Sequence, residues 1–212
     1  MNAQPGPEEQ ILRYIERFAS PPREQVCDFI AGARRSIIAR GDFLVELGDT
    51  TCPLHFVHSG IVRYMLVIPE TGQDVTKDFS FAPTFATSFG SAVRAEPARI
   101  GIAAVADCVV STWPLNRLTS LFDVDPQWQK LGRKLAEWLY VRKEDREIAL
   151  LTLTAEQRYT ALTLEFSEQI VKVPQHQLAS YLSLTPESLS RLKARMARKR
   201  NSDETKKEEE LE

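Results

Sequence analysis

Apolar residues recur along this chain with two different periods, and the changes between them divide it. Near the start, Ile11, Leu12, Ile15 and Phe18 are spaced three and four apart, which predicts a helix over 8–18, and a second follows over 23–30 after Ser20-Pro21-Pro22. From Arg35 to Pro114 the pattern becomes short β-like runs at 36–39, 43–45, 55–57, 61–68, 73–79, 99–105 and 108–113. Gly41-Asp42, Gly48-Asp49, Ser59-Gly60 and Thr71-Gly72 punctuate them, the last as a hairpin turn. Many short strands at this spacing predict an antiparallel sandwich or barrel. From Asp125 the helical period returns, with Leu131, Leu135, Trp138, Ile148 and Leu151 along one long helix, and another helix spans 154–166.

The stretch from Gln175 to Ala194 is the most specific. Leu178, Ala179 and Leu182 give one short helix an inward face, Leu184 plugs a turn, and Leu189 and Leu192 return a second helix to the same small core. Thr185 is an N-cap, Pro186 suits the first helical position, and Glu187 lies in the first turn. Ser183 falls in the turn, at a position that often holds Gly for a left-handed backbone, where another residue costs on the order of 1 kcal/mol. Outward positions are polar or basic, and Arg191, Lys193, Arg195, Arg198, Lys199 and Arg200 follow without an acidic residue. Such a helix pair can lay its second helix in a DNA major groove, and local positive charge suits phosphates.

Composition adds bounds rather than chemistry. The chain has 212 residues, 43% of them hydrophobic, and a formal net charge of -2. That length suffices for one good core and a smaller second domain. No apolar run approaches the roughly 20 residues of a membrane span, and the start reads as no signal peptide, so a cytoplasmic protein without membrane association is expected. Cys27, Cys52 and Cys108 share no metal-ligand spacing and read as reduced, buried thiols. No cofactor is expected. Phosphate loops and nucleophile elbows are absent, and His55 and His58 on one strand point to opposite faces, so no enzyme is expected.

A β-barrel of about eighty residues, a long helix, then a helix-turn-helix is the order of the Crp/Fnr transcription regulators, and the chain resembles that family from about residue 24 to 197. The residues carrying the resemblance are Arg40-Gly41-Asp42-Phe43-Leu44 with Leu47-Gly48-Asp49, 56–62 (Phe-Val-His-Ser-Gly-Ile-Val), Glu70-Thr71-Gly72, and 185–191 (Thr-Pro-Glu-Ser-Leu-Ser-Arg). The fold class implied is α+β: an N-terminal antiparallel β-roll of the cupin-like jelly-roll kind, a dimerisation helix, and a C-terminal helix-turn-helix. Domain bounds are read as 1–124, 125–152 and 153–200, with 201–212 a charged disordered tail. The absence of a β-hairpin wing after the second helix is similar to one branch of the family.

The resemblance implies a homodimeric regulator that binds a near-palindromic operator on double-stranded DNA, with RNA polymerase and a small-molecule effector as further partners. Glu187 and Arg191 match two of the family's base-reading positions, one turn apart, so that the carboxylate can hold the guanidinium. Pro186 replaces the first Arg of the motif. Thr185 and Ser188 match phosphate-contacting hydroxyls, and Lys193 and Arg195 are assigned to phosphates as well. Leu131, Leu135 and Trp138 are assigned to the dimer seam, a helix packed on its own barrel being the competing reading.

In the barrel, the segment corresponding to the family's cyclic-nucleotide clamp contains Thr87, Ser88, Arg94 and Arg99 as candidate effector contacts. Ser88 falls where the ribose-binding Glu belongs, and Ile100 follows Arg99 where a hydroxyl belongs. The family's purine-facing hydroxyls fall near Lys143 and Glu144. Cyclic AMP is therefore not the expected effector. A haem-binding version would need His58 or Cys52 as an axial ligand, and both read as ordinary barrel residues. The alternative from another class is a ligand-binding or scaffold module with a vestigial helix-turn-helix, which the acidic end of the chain keeps open.

Overall fold

The computed structural model describes residues 5–209. Its contacts divide the chain into two units, Met1–Ile148 and Ala149–Glu212. In the first, helices α1 (Pro7–Glu16) and α2 (Arg23–Ala31) precede eight strands. These are β1 (Arg34–Ile38), β2 (Phe43–Val45), β3 (Leu54–Ser59), β4 (Ile61–Val67), β5 (Asp74–Phe81), β6 (Thr84–Ala86), β7 (Gly101–Ala104) and β8 (Cys108–Trp113), with the short α3 (Phe89–Arg94) between β6 and β7. A turn of helix α4 (Asn116–Thr119) and a 3-10 turn (Ser120–Asp123) lead into the long α5 (Pro126–Thr152). The second unit holds α6 (Ala155–Glu165), α7 (Ser167–Ile170), α8 (Gln175–Tyr181) and α9 (Pro186–Glu209).

The strands form two antiparallel sheets of four, ordered β1-β8-β3-β6 and β2-β7-β4-β5, as a jelly roll requires. Seven of the eight strands follow the apolar pattern. β6 does not, because Thr84-Phe85-Ala86 is too short to show alternation, and its pairing with β3 alone makes it a strand. The hairpin at Thr71-Gly72 joins β4 to β5, with Gly72 at φ 68°. Gly60, at φ 102°, is needed for a second reason: a Cβ there would lie 2.6 Å from the Asp107 carbonyl oxygen.

Strand β3 is buried on both faces from Leu54 to His58, its two histidines included. Val57 joins Val62, Ile102 and Val110 in the core between the sheets. Leu54 and Phe56 turn the other way, into a second core with Ile11, Phe29, Trp113 and Trp128. Phe29 stacks on Trp113 at 4.6 Å, and the Trp113 indole donates to the Phe29 carbonyl at 2.7 Å. Trp128 donates to Gln25 at 2.8 Å, so α2, β8 and α5 are locked by rings whose polar edges are satisfied. Asp125 caps α5 by accepting the Gln127 N–H at 2.7 Å, and Pro126 opens the helix.

Thr154 and Gln157 form a reciprocal capping box at the start of α6. Leu178, Ala179, Leu182, Leu189 and Leu192 are all buried, as their spacing predicts. Ser183 has φ 59°, a left-handed conformation that favours glycine. Ser183→Gly is expected to raise the unfolding free energy by up to about 1 kcal/mol, the relief of the left-handed strain exceeding the added chain entropy, as read by urea denaturation.

Two readings of the sequence change here. Helix α9 continues to Glu209, so the backbone of 201–209 is helical where a disordered tail is expected, and 210–212 lie outside the described residues. Cys27 is exposed rather than buried, because α2 turns it away from the Val26 and Phe29 side. All three cysteines are free.

Candidate functional site

Two sites emerge, one in each unit. In the second unit, Thr185 accepts the Ser188 N–H at 3.2 Å and so fixes the first turn of α9. With Leu189 and Leu192 buried, the helical period carries Glu187, Arg191, Ala194 and Arg198 along the opposite side, and all four are exposed. Arg158 anchors the preceding turn by donating to the Leu182 carbonyl at 3.0 Å and to the Leu153 carbonyl at 2.6 Å. The carbonyl ends of two elements are thereby tied to one cation, which holds the entry to α9 in place.

The assigned side chains are arranged differently from expectation. Arg191 donates to the Ser188 hydroxyl at 3.4 Å, and no ion pair joins it to Glu187 among the described residues. The Glu187 carboxyl is held below its ordinary range first by its own backbone N–H, then by the Thr185 hydroxyl, with Arg191 contributing least. Glu187 therefore serves the helix N-terminus more than it orients Arg191. Lys193 donates to Gln175 at 3.1 Å and sits 5.6 Å from the centre of the Tyr159 ring. Arg195 pairs with Glu156 at 2.9 Å. Both fasten α9 to neighbouring helices, because 193 lies near the buried side and 195 at its flank. Arg198, at seven residues from Arg191, shares the exposed stripe that they do not.

In the first unit, a cavity of about 190 Å³ lies between the β-roll and α5. Of the four candidate effector contacts, Thr87 alone lines it. Ser88 is wholly buried as the N-terminal neighbour of α3, with its hydroxyl beside the Cys52 thiol, which burial pushes up in pKa. Arg94 is exposed and paired with Glu96 at 2.9 Å, and Arg99 is exposed while its backbone N–H donates to Ser91. The cations that do line the cavity are Lys77, Arg142 and Lys143, with Asp78 between them. Arg142 donates to Asp78 at 3.0 Å and to the Phe79 carbonyl at 2.6 Å. Of these, Lys143 alone stands among the positions that the family resemblance brings to the site. Lys77 and Arg142 carry no local signal, since a charged pair in mid-strand and a helical Arg read as solvated surface.

Helix α5 carries two apolar stripes. Trp128 and Leu131 are buried in the core of their own unit, Leu135 packs against that core, and Trp138 lines the cavity. Of the three residues assigned to the dimer seam, Leu131 is 1% exposed and thus unavailable. The stripe left outward contains Tyr140, Val141 and Ile148, each more than half exposed.

His55 and His58 stand on the two faces of β3. His55 Nδ1 is 2.9 Å from the Thr112 hydroxyl, and His58 bridges Gln10 of α1 and Ser111 at 3.2 and 2.8 Å. Burial lowers both pKa values to about 4, with Arg35 adding to the effect at His58. Among the described residues no group of three His, Cys, Asp or Glu side chains could hold a metal ion. No described helix is long and apolar enough to cross a membrane.

Comparison by sequence finds no family model that matches this chain and no curated protein similar to it. Comparison of structures finds clear likenesses. FixK2 from Bradyrhizobium japonicum is 20% identical, over 79% of this chain and 85% of that one, with a TM-score of 0.66. The c-di-GMP-responsive global regulator CLP from Xanthomonas campestris is 15% identical, over 84% and 93%, with a TM-score of 0.67. A transcriptional regulator of the CRP family from Thermus thermophilus, TTHB099, is 18% identical, over 77% and 85%, with a TM-score of 0.62. The jelly roll, long helix and terminal helix pair of this chain together make up the fold of the Crp/Fnr transcription regulators.

Proposed function

We propose that this chain is a sequence-specific DNA-binding transcription regulator of the Crp/Fnr type, whose effector is not cyclic AMP. The observation that carries this reading is the exposed Glu187-Arg191-Ala194-Arg198 stripe on a helix entered through the tight turn at Ser183. An α-helix with one such stripe fits the major groove, where a guanidinium can take the O6 and N7 of guanine together. The hydroxyls of Thr185 and Ser188 at the helix start suit phosphates. The stripe presents Arg191 and Arg198 outward, which favours a working reader over a vestigial one.

The proposal on the effector rests on what the cavity lacks. Its lining includes neither Arg94 nor Arg99, and Ser88 supplies no carboxylate for a ribose hydroxyl. Charge-assisted hydrogen bonds are worth roughly 1.5–3 kcal/mol each, so losing two weakens a cyclic nucleotide a hundredfold or more.

The test of the regulator reading is selection from random duplexes. Enrichment of a near-palindrome with half-site centres about 10 base pairs apart is expected, since a dimer sets its two reading helices roughly one turn of DNA apart. Retention governed by salt alone, with no enriched sequence, would refute it.

A homodimer through α5 belongs to the same reading. Val141 and Ile148 stand one heptad apart on the outward stripe, the spacing of a two-helix seam. Val141→Glu with Ile148→Glu is expected to convert a dimer to a 24.0 kDa species in sedimentation at micromolar concentration, with the helical signal retained. An undisturbed dimer would exclude this stripe as the seam.

A further inference from the structure

The cavity between the β-roll and α5 has more positive charge than its own carboxylate can balance. Lys77 from β5 and Arg142 and Lys143 from α5 line it, against Asp78. Asp78 is already engaged, since it accepts from Arg142 at 3.0 Å and from the Phe79 N–H at 2.8 Å. Arg142 is committed to Asp78 and to the Phe79 carbonyl, with its guanidinium 5.5 Å from the centre of the Trp138 ring. The half-buried Lys77 ammonium makes neither an ion pair nor a hydrogen bond among the described residues. Burial pushes its pKa down, Asp78 opposes that, and Lys143, Arg146 and Arg142 add to it. An anion placed on Lys77 would relieve this penalty on the charged form.

The rest of the lining says what that anion must be attached to. Phe85, Phe89, Leu118, Phe122, Trp138 and Leu139 present aromatic and alkyl surface. Tyr64 and Ser80 add hydroxyls, and burial raises the Tyr64 phenol to about 12, so it stays a neutral donor. At about 190 Å³ the space falls below the roughly 300–1,000 Å³ of sites for drug-sized ligands. A doubly charged phosphate would also have to draw on Lys143, which lines the cavity but is exposed, whereas Lys77 is half-buried. A single carboxylate needs Lys77 alone.

We propose that the cavity takes a compact lipophilic acid, its apolar body against the Phe and Leu walls and its one carboxylate on the Lys77 ammonium. This deepens the reading of the chain as an effector-responsive regulator and rests on it. Lys77 is the residue that sets specificity for the charge, and the aromatic walls set it for the body.

The experiment compares matched acids and amides, which differ in charge but hardly in shape: phenylacetate with phenylacetamide, and octanoate with octanamide, by calorimetry on the full chain at pH 7. At least one acid is expected to bind about 10–100-fold more tightly than its amide, the span of one charge-assisted hydrogen bond. Lys77→Met should abolish that preference while leaving amide binding unchanged, and Lys77→Arg should restore it. The proposal is overturned if no acid binds at millimolar concentration, if acid and amide bind alike, if the preference survives Lys77→Met, or if cyclic AMP binds more tightly than every acid. Gel shifts on a selected operator, run on the same preparation, separate the two readings. Operator preference without acid preference sinks only the ligand assignment, whereas acid preference without operator preference sinks the regulator reading and leaves the binding site standing.

Discussion

Arg191→Ala is expected to weaken binding to the best operator by about 1–3 kcal/mol and to flatten the preference at one base pair in each half-site. The side chain is exposed, sits one turn into α9, and donates to Ser188 at only 3.4 Å, so it can swing onto a base edge at little cost. Lys193→Ala and Arg195→Ala should behave differently. Their charges are spent on Gln175, Tyr159 and Glu156 inside the helical unit, so their loss should lower stability by roughly 0–1 kcal/mol and leave sequence preference intact. Arg198→Ala, on the exposed stripe, should reduce binding to all sequences and shallow the salt dependence by about one phosphate contact. Gel shifts on selected and scrambled duplexes at several salt concentrations distinguish the four variants. Equal losses on both duplexes for Arg191→Ala would remove it as a base reader.

Acid should destabilise the β-roll between pH 6.5 and about 4, beginning well above the range in which carboxylates titrate. His55 and His58 are 4% and 7% exposed, and burial lowers each pKa from 6.5 to about 4. In that window the unfolded chain binds protons that the folded chain refuses. The stabilisation is therefore complete above pH 6.5 and declines as pH falls toward 4. A depression of this size corresponds to as much as about 3 kcal/mol for each imidazole. His58 carries the larger structural consequence, because it joins Gln10 of α1 to Ser111 of β8 and sits edge-on to Phe56 at 4.9 Å. Urea midpoints measured from pH 7.5 to 4.5 should fall steeply for the native chain and much less for His55→Gln with His58→Gln. Imidazole resonances that titrate near pH 6.5 in the folded protein would contradict the assignment directly.

The elements legible in the sequence are those that satisfy their needs locally. Thr185 and Pro186 start α9 with a side chain and a ring of their own, Thr154 and Gln157 cap α6 reciprocally, and Gly72 supplies the positive φ of its hairpin. The short β-like runs of β3 through β5 between turn residues and the 3.6 period of the Leu178 to Leu192 core need no partner to be read. The sequence by itself thus determined the β-roll, the long helix and the terminal helix pair, because each is encoded by residues within one or two turns of each other. Tertiary structure alone decided which of two apolar stripes on α5 faces inward, that β6 is a strand, and which cations meet at a cavity. Those outcomes rest on contacts between residues 64 positions apart, as with Asp78 and Arg142, or on pairing to a neighbour, as with β6 on β3. No period records such meetings, since a buried Leu131 and an exposed Val141 look alike until the surface that covers one of them is in place.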